Sequence, residues 1–193
     1  MEEIEVKFLN INIEEIEAKL KNIGAKKVFD KIYKIRIFDY PDLRLNDRKS
    51  WLRLRDEGDK VTVAFKRRLG VSQVAGVNDQ GMEELEVVVD NFDRTSDIFL
   101  SLGLMIKFYE EKRRIRYILD EIEFDIDLMP ALDPFLEIES SSWENVDRGI
   151  KLLGLNPEDK KIFSASQIYA LKGIKMLDYI EFKFDGLIKR NQN

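Results

Sequence analysis

The chain has 193 residues, 36 % of them charged, with a formal net charge of −5 and neither cysteine nor histidine. This length can bury a sizeable core. The composition excludes disulfides, thiolate nucleophiles, cysteine zinc sites and imidazole bases or ligands, and the acidic balance argues against a nucleic-acid partner, so no DNA binding is expected.

Residues 2–8 alternate, with Glu3, Glu5 and Lys7 opposed to Ile4, Val6 and Phe8, which predicts a half-buried strand. No basic n-region or apolar h-region opens the chain, and no apolar run reaches the roughly 20 residues that span a bilayer. A soluble, cytoplasmic protein without membrane contact is expected. Asn12, with Glu15 three residues on, predicts a helix N-terminus, and Ile13, Ile16, Leu20 and Ile23 form its apolar stripe up to Gly24. Residues 26–40 read as one or two strands ending at the Pro41-Asp42 turn. Residues 51–55 place Trp51, Arg53 and Arg55 on one side of a strand, and a turn at 57–59 leads into a strand over 60–68.

The stretch 69–82 has three glycines and no hydrophobic period, so it predicts a mobile loop at the mouth of a site. A strand through Glu84 and Glu86 follows, then a helix from about Asp93 to Leu102. Residues 107–119 and 121–128 predict a strand pair turning near Asp120, and a further strand follows Pro134. Ser141 with Glu144 predicts a capping box for a helix bearing Val146, Ile150 and Leu153. Ser164 with Gln167 predicts another, bearing Ile168, Leu171 and Ile174. The preference of 178–193 is ambiguous. No linker divides the chain, so 1–193 is expected to be one domain.

Three Glu-x-Glu triplets, at 3–5, 84–86 and 137–139, each precede a helix that stops at a glycine. Residues i and i+2 of a strand share a face, so each triplet sets two carboxylates side by side. One triplet is ordinary on a solvent-facing strand. Three at matched places would repel one another unless a cation sits among them, and Mg²⁺ or Mn²⁺ prefers such oxygen ligands. Basic residues recur at the same spacing: Arg53 and Arg55, Lys66 and Arg68, then Lys112, Arg114 and Arg116, with Asp125 and Asp127 as a further acidic pair. The helices are too few to cover both faces of so large a sheet. An antiparallel sheet closed into a barrel, with helices outside and charges inside, fits the pattern better than a doubly wound one. A lumen of both signs suits a polyanion bound with metal.

The opening Glu3-Ile4-Glu5-Val6-Lys7 resembles the ExExK signature of the CYTH superfamily, the triphosphate tunnel metalloenzymes. The resemblance continues through Leu52-Arg53-Leu54-Arg55, Lys66, Glu84-Leu85-Glu86, the segment from Lys112 to Tyr117, Asp127-Leu128-Met129-Pro130 and Phe135-Leu136-Glu137-Ile138-Glu139. It covers roughly residues 1–155 and leaves 156–193 as a helical C-terminal extension. It implies an α+β fold built on a closed eight-stranded antiparallel tunnel. The family's activities include hydrolysis of inorganic, thiamine or RNA triphosphates and class IV adenylyl cyclisation.

By this resemblance Glu3, Glu5, Glu137 and Glu139 are expected to hold Mg²⁺ or Mn²⁺. Lys7, Arg53, Arg55, Lys66, Lys112 and Arg114 are expected to grip phosphates, and Glu86, Asp127 and Lys66 to serve catalysis. The segment around Tyr33 departs from the family pattern, where Arg36 either adds a tunnel cation or marks a different register. The histidine motif of some cyclases is absent, which ranks a triphosphatase first, a cyclase second and a non-catalytic polyphosphate-binding module third. The expected partner is tripolyphosphate, thiamine triphosphate or ATP, and a homodimer is allowed.

Overall fold

Two-residue alternation, repeated over long stretches, folds into a single large sheet. The computed structural model describes residues 4–69 and 81–191. Its elements are β1 (Ile4–Phe8), α1 (Ile13–Asn22), β2 (Lys26–Asp39), α2 (Arg44–Asp47), β3 (Ser50–Asp56), β4 (Val61–Leu69), β5 (Gly81–Val89), α3 (Phe92–Ser101), β6 (Met105–Leu119), β7 (Ile122–Leu128), β8 (Phe135–Ser140), α4 (Trp143–Leu152), α5 (Ala165–Leu171), β9 (Tyr179–Lys183) and β10 (Gly186–Lys189). The expected mobile loop lies largely outside the described residues.

Eight strands pair antiparallel in the order β1-β8-β7-β6-β2-β3-β4-β5, while β9 joins β6 in parallel and forms a hairpin with β10. Six strand spacings separate β1 from β4, about 29 Å in a flat sheet. Yet the charge of Glu5 on β1 bears on Lys66 of β4. The sheet is therefore strongly curled, and its two edge strands, β1 and β5, are not paired with each other among the described residues.

The convex face packs under helices. Val6, Phe8, Ile115, Phe124, Ile126, Leu136 and Ile138 form one core with Ile16 and Leu20 of α1 and Val146 and Ile150 of α4. Helix α3 covers another part, where Phe99 meets Phe38 edge-on with ring centroids 5.1 Å apart. No described helix lies over the outer face of β5, so Leu85 and Val87 are 66 % and 61 % exposed; alternation put them on the convex side, but no helix reaches them.

A second core lies on the concave side. Tyr33, Ile35, Ile37, Phe108 and Phe135 pack against Phe163, Ile168, Tyr169 and Phe182. Helix α5 and the β9–β10 hairpin thus floor one end of the concavity. This corrects the expectation that all helices sit outside and that 156–193 is only helical: Phe182 must be buried, and a strand added to β6 buries it.

Asn12 caps α1 by accepting from the Glu15 amide at 3.0 Å, and the Ser164–Gln167 box closes in both directions on α5. The cap of α4 is Ser142, accepting from the Asn145 amide, one residue beyond the expected Ser141. With two serines in tandem, the one whose hydroxyl meets the third helical amide takes the role. Gly24 ends α1 at φ 82°, a conformation glycine adopts without strain.

Candidate functional site

On β1 the side chains of Glu5 and Lys7 enter the concavity because Val6 and Phe8 are taken by the convex core. The same alternation on β8 and β7 turns Glu137 and Glu139, and Glu123, Asp125 and Asp127, inward. On β6 it turns Arg114 and Arg116 inward between the core residues Ile115 and Tyr117. These strands are neighbours, so the charges interlock. Lys7 Nζ lies 2.6 Å from Glu5 and 3.2 Å from Glu137. Arg114 donates to both oxygens of Asp127, at 2.7 Å and 2.6 Å, and pairs with Glu137 and Asp125 as well. Arg116 grips Asp125 through both oxygens and reaches Glu123 at 2.5 Å. Lys112 pairs with Asp127.

The electrostatics follow from burial and proximity. Burial opposes the charge of Lys7 and of Arg114, but Glu137 and Glu5 around the first, and Asp127, Glu137 and Asp125 around the second, hold both firmly cationic. Burial would also raise Glu137, yet Lys112, Lys7 and Arg114 draw its carboxyl well below the ordinary glutamate range. Asp127, wholly buried, is shifted upward, so of this coupled pair it holds a proton more readily.

Oxygens of Glu123, Asp125 and Glu139 lie within 4.8 Å of one another, a donor set of carboxylates that suits a hard divalent cation. Glu5 is the cross-strand partner of Glu139.

The opposite wall is basic with an acidic rim. Arg53 Nη2 donates to Glu84 and to Glu86, each at 3.0 Å. Lys66 meets Glu84 at 2.5 Å, and Arg55 meets Glu57 at 2.6 Å. Burial, with Arg53 beside it, lowers the Lys66 ammonium, and burial with Arg55 alongside lowers Arg53. These pairs leave bonding capacity unused. Among the described residues the Nε of Arg53, the Nε of Arg55 and the hydroxyl of Thr62 are buried without a hydrogen-bond partner. Thr62 is the cross-strand partner of Arg55 on β4. Buried donors without acceptors cost about 1–3 kcal/mol each, a cost that an acceptor with several oxygens would relieve.

Glu5, Lys7, Arg53, Arg55, Lys66, Glu84, Glu86, Lys112, Arg114, Asp127, Glu137 and Glu139 thus all face one concavity. Glu3 lies outside the described residues. Arg36 is a correction. Its neighbours Ile35 and Ile37 point into the concavity, so its own side chain emerges on the convex face, 2.9 Å from Asp93 and stacked over Phe92 of α3. Sequence reasoning missed Glu123, Glu110 and Thr62. The first two were legible as i−2 neighbours of Asp125 and Lys112, whereas an uncharged threonine carries no such signal.

The sequence pattern of the CYTH domain matches residues 1–166. No curated protein is significantly similar to the chain. Among solved structures, one from Pyrococcus horikoshii OT3 is 26 % identical with a TM-score of 0.69, over 87 % of this chain and 99 % of that one. A Vibrio parahaemolyticus protein provisionally described as an adenylate cyclase superposes with a TM-score of 0.73 at 16 % identity, covering 88 % of this chain and 98 % of its own. A Hippeastrum protein provisionally described as an adenylyl cyclase, and reported to have a dominant triphosphatase activity, gives 0.58 at 15 % identity over 90 % and 96 %. The fold is common to all three, and with the pattern spanning most of its length the chain belongs to the CYTH domain family.

Proposed function

We propose that the protein is a divalent-metal-dependent triphosphatase whose substrate lies in a tunnel made when the curled sheet closes between β1 and β5. The observation that carries this reading is the pair of buried arginine Nε groups and the Thr62 hydroxyl, all lacking partners among the described residues, on the wall across the concavity from the carboxylates Glu123, Asp125 and Glu139. An anion with many oxygens would satisfy the first set, and a hard cation would satisfy the second.

Arg53 and Arg55 have the planar fork that binds phosphate oxygens in pairs, while Lys7, Lys66, Lys112 and Arg114 supply further charge. Glu5, Glu137 and Glu139, with Glu3, would hold Mg²⁺ or Mn²⁺, and Glu123 and Asp125 extend that set. A bound metal would neutralise phosphate charge and acidify a coordinated water. Glu86 and Asp127 orient the cations around the substrate, and burial of Lys7, Arg114, Asp127 and Glu137 keeps bulk water from that part of the site. Contacts made only to phosphates cannot favour a nucleotide over a plain polyphosphate. Tripolyphosphate is therefore expected to be hydrolysed at least as well as ATP.

A panel of tripolyphosphate, thiamine triphosphate and ATP, each with Mg²⁺ or Mn²⁺, tests this by release of phosphate and of cyclic AMP. Cyclic AMP and pyrophosphate from ATP, with tripolyphosphate left intact, would establish a cyclase in its place. Tight binding without turnover of any of the three would leave a polyphosphate-binding module.

A further inference from the structure

Glu110 lies on β6 two residues before Lys112, on the concave face, beside Ile35 of β2 and Phe182 of β9. It stands where the charged wall meets the apolar floor of Phe108, Tyr169 and Phe182. Its neighbours in charge are held fast: Glu5 by Lys7, Glu84 by Arg53 and Lys66, Glu86 by Arg53, Asp125 by Arg116, Asp127 by Arg114, and Glu137 by Lys7 and Arg114. Glu110 differs from these. Among the described residues no hydrogen bond or ion pair holds its carboxyl, and it remains half-buried, open to the concavity.

We propose that Glu110 accepts the proton of the water that attacks the terminal phosphorus, an assignment that rests on the triphosphatase reading. The water oxygen forms the new P–O bond, and the bridging P–O bond breaks with its electron pair leaving on the diphosphate. The proton moves to the Glu110 carboxylate and from there to solvent as phosphate departs. A carboxylate clamped by a guanidinium has its lone pairs committed and is a poor base. Among the described residues nothing claims either oxygen of Glu110.

The charges that bear on it are Lys112 and Lys107 of its own strand and Arg53 of β3, it bears in turn on Tyr169 of α5, and its cross-strand partners on β2 and β9 are Ile35 and Phe182. Burial outweighs Lys112, Arg53 and Lys107 and pushes its carboxyl up to about 7. That is the range in which a general base is most effective near neutral pH.

The test compares the intact wild-type chain with Glu110→Gln and Glu110→Asp, using tripolyphosphate with Mg²⁺. In Glu110→Gln, kcat is expected to fall by about 100-fold or more. Calorimetric affinity for tripolyphosphate should hold or improve, since a negative charge beside Arg53 and Lys112 is gone. The wild-type acidic limb of kcat, rising through neutral pH, should vanish in Glu110→Gln, and Glu110→Asp should recover part of the rate. A Glu110→Gln enzyme that keeps wild-type turnover and its acidic limb overturns the assignment while leaving the triphosphatase reading intact. So does a loss confined to binding. A wild-type protein that turns over no triphosphate overturns both.

Discussion

Thr62 shows how a single residue can set stability against binding. Its hydroxyl is fully buried, without a partner among the described residues, next to Arg55 across the strand pair. Thr62→Val keeps the shape and removes the unpaired group, so the free protein is expected to gain on the order of 1 kcal/mol in urea denaturation. Tripolyphosphate affinity should fall about 10-fold or more, the worth of one hydrogen bond to a charged acceptor. Unchanged affinity would place the phosphates elsewhere. Glu110 yields a prediction about pH. Its folded-state carboxyl is shifted above the ordinary 4.5 to about 7, so the folded chain binds the extra proton and loses stability as pH rises through that window. Glu110→Gln lacks this loss. Thermal melts should show the variant matching wild type near pH 4 and melting higher at pH 8, and a gap independent of pH would contradict the sign. At this scale the charged residues were legible because same-face spacing is a hard geometric rule. Arg36 was not, because the concave face turns apolar at Tyr33, Ile35 and Ile37, and a charged residue was sought inside where the rule places it outside.

Elements are positioned by where backbones can approach. Gly149 in α4 sits so close to the sheet that a Cβ would lie 3.1 Å from Ile138 Cγ2, 3.2 Å from Phe124 Cε1 and 3.3 Å from Ile122 Cγ2. All three neighbours are fully buried and cannot yield cheaply. Gly149→Ala gains roughly 1 kcal/mol of helix propensity but incurs about 1–3 kcal/mol of overpacking. A net loss of stability is expected in chemical denaturation, and a stabilised variant would mean that α4 can slide outward. The N-termini of the helices with clear caps were legible in the sequence to within a residue or two, but α5 ends at Leu171, so Ile174, expected on it, lies beyond its end. Helix α2 was not, since its start at Leu43 lacks a side-chain cap, and the hairpin of β9 and β10 was not, since it depends on β6 and the Phe182 pocket rather than on local pattern. Long-range partners decide such segments.

At the scale of the molecule, the concavity in its free state is neutralised by its own residues. Arg114 and Arg116 occupy the carboxylates that would serve a metal, and Glu84 and Glu86 occupy Arg53, which would serve a phosphate. Either ligand alone therefore strands one set of partners: metal at Glu123, Asp125 and Glu139 displaces Arg116, while a triphosphate draws Arg53 from its carboxylates. Both together restore the balance, because displaced arginines turn to phosphate and freed carboxylates turn to metal. The coupling must be reciprocal, each ligand raising the affinity of the other by the same factor. A factor of at least about 10, or roughly 1.4 kcal/mol, is expected. In calorimetry, corrected for the Mg²⁺–tripolyphosphate complex formed in solution, tripolyphosphate should bind that much more tightly at saturating Mg²⁺, and the thermal shift with both should exceed the sum of the two taken singly. Glu123→Gln, which removes a carboxylate from the trio while leaving the arginine wall in place, should shrink this coupling without abolishing tripolyphosphate binding. Additive shifts in the wild-type protein would mean that metal and phosphate occupy independent sites, and the tunnel mechanism would fail with them.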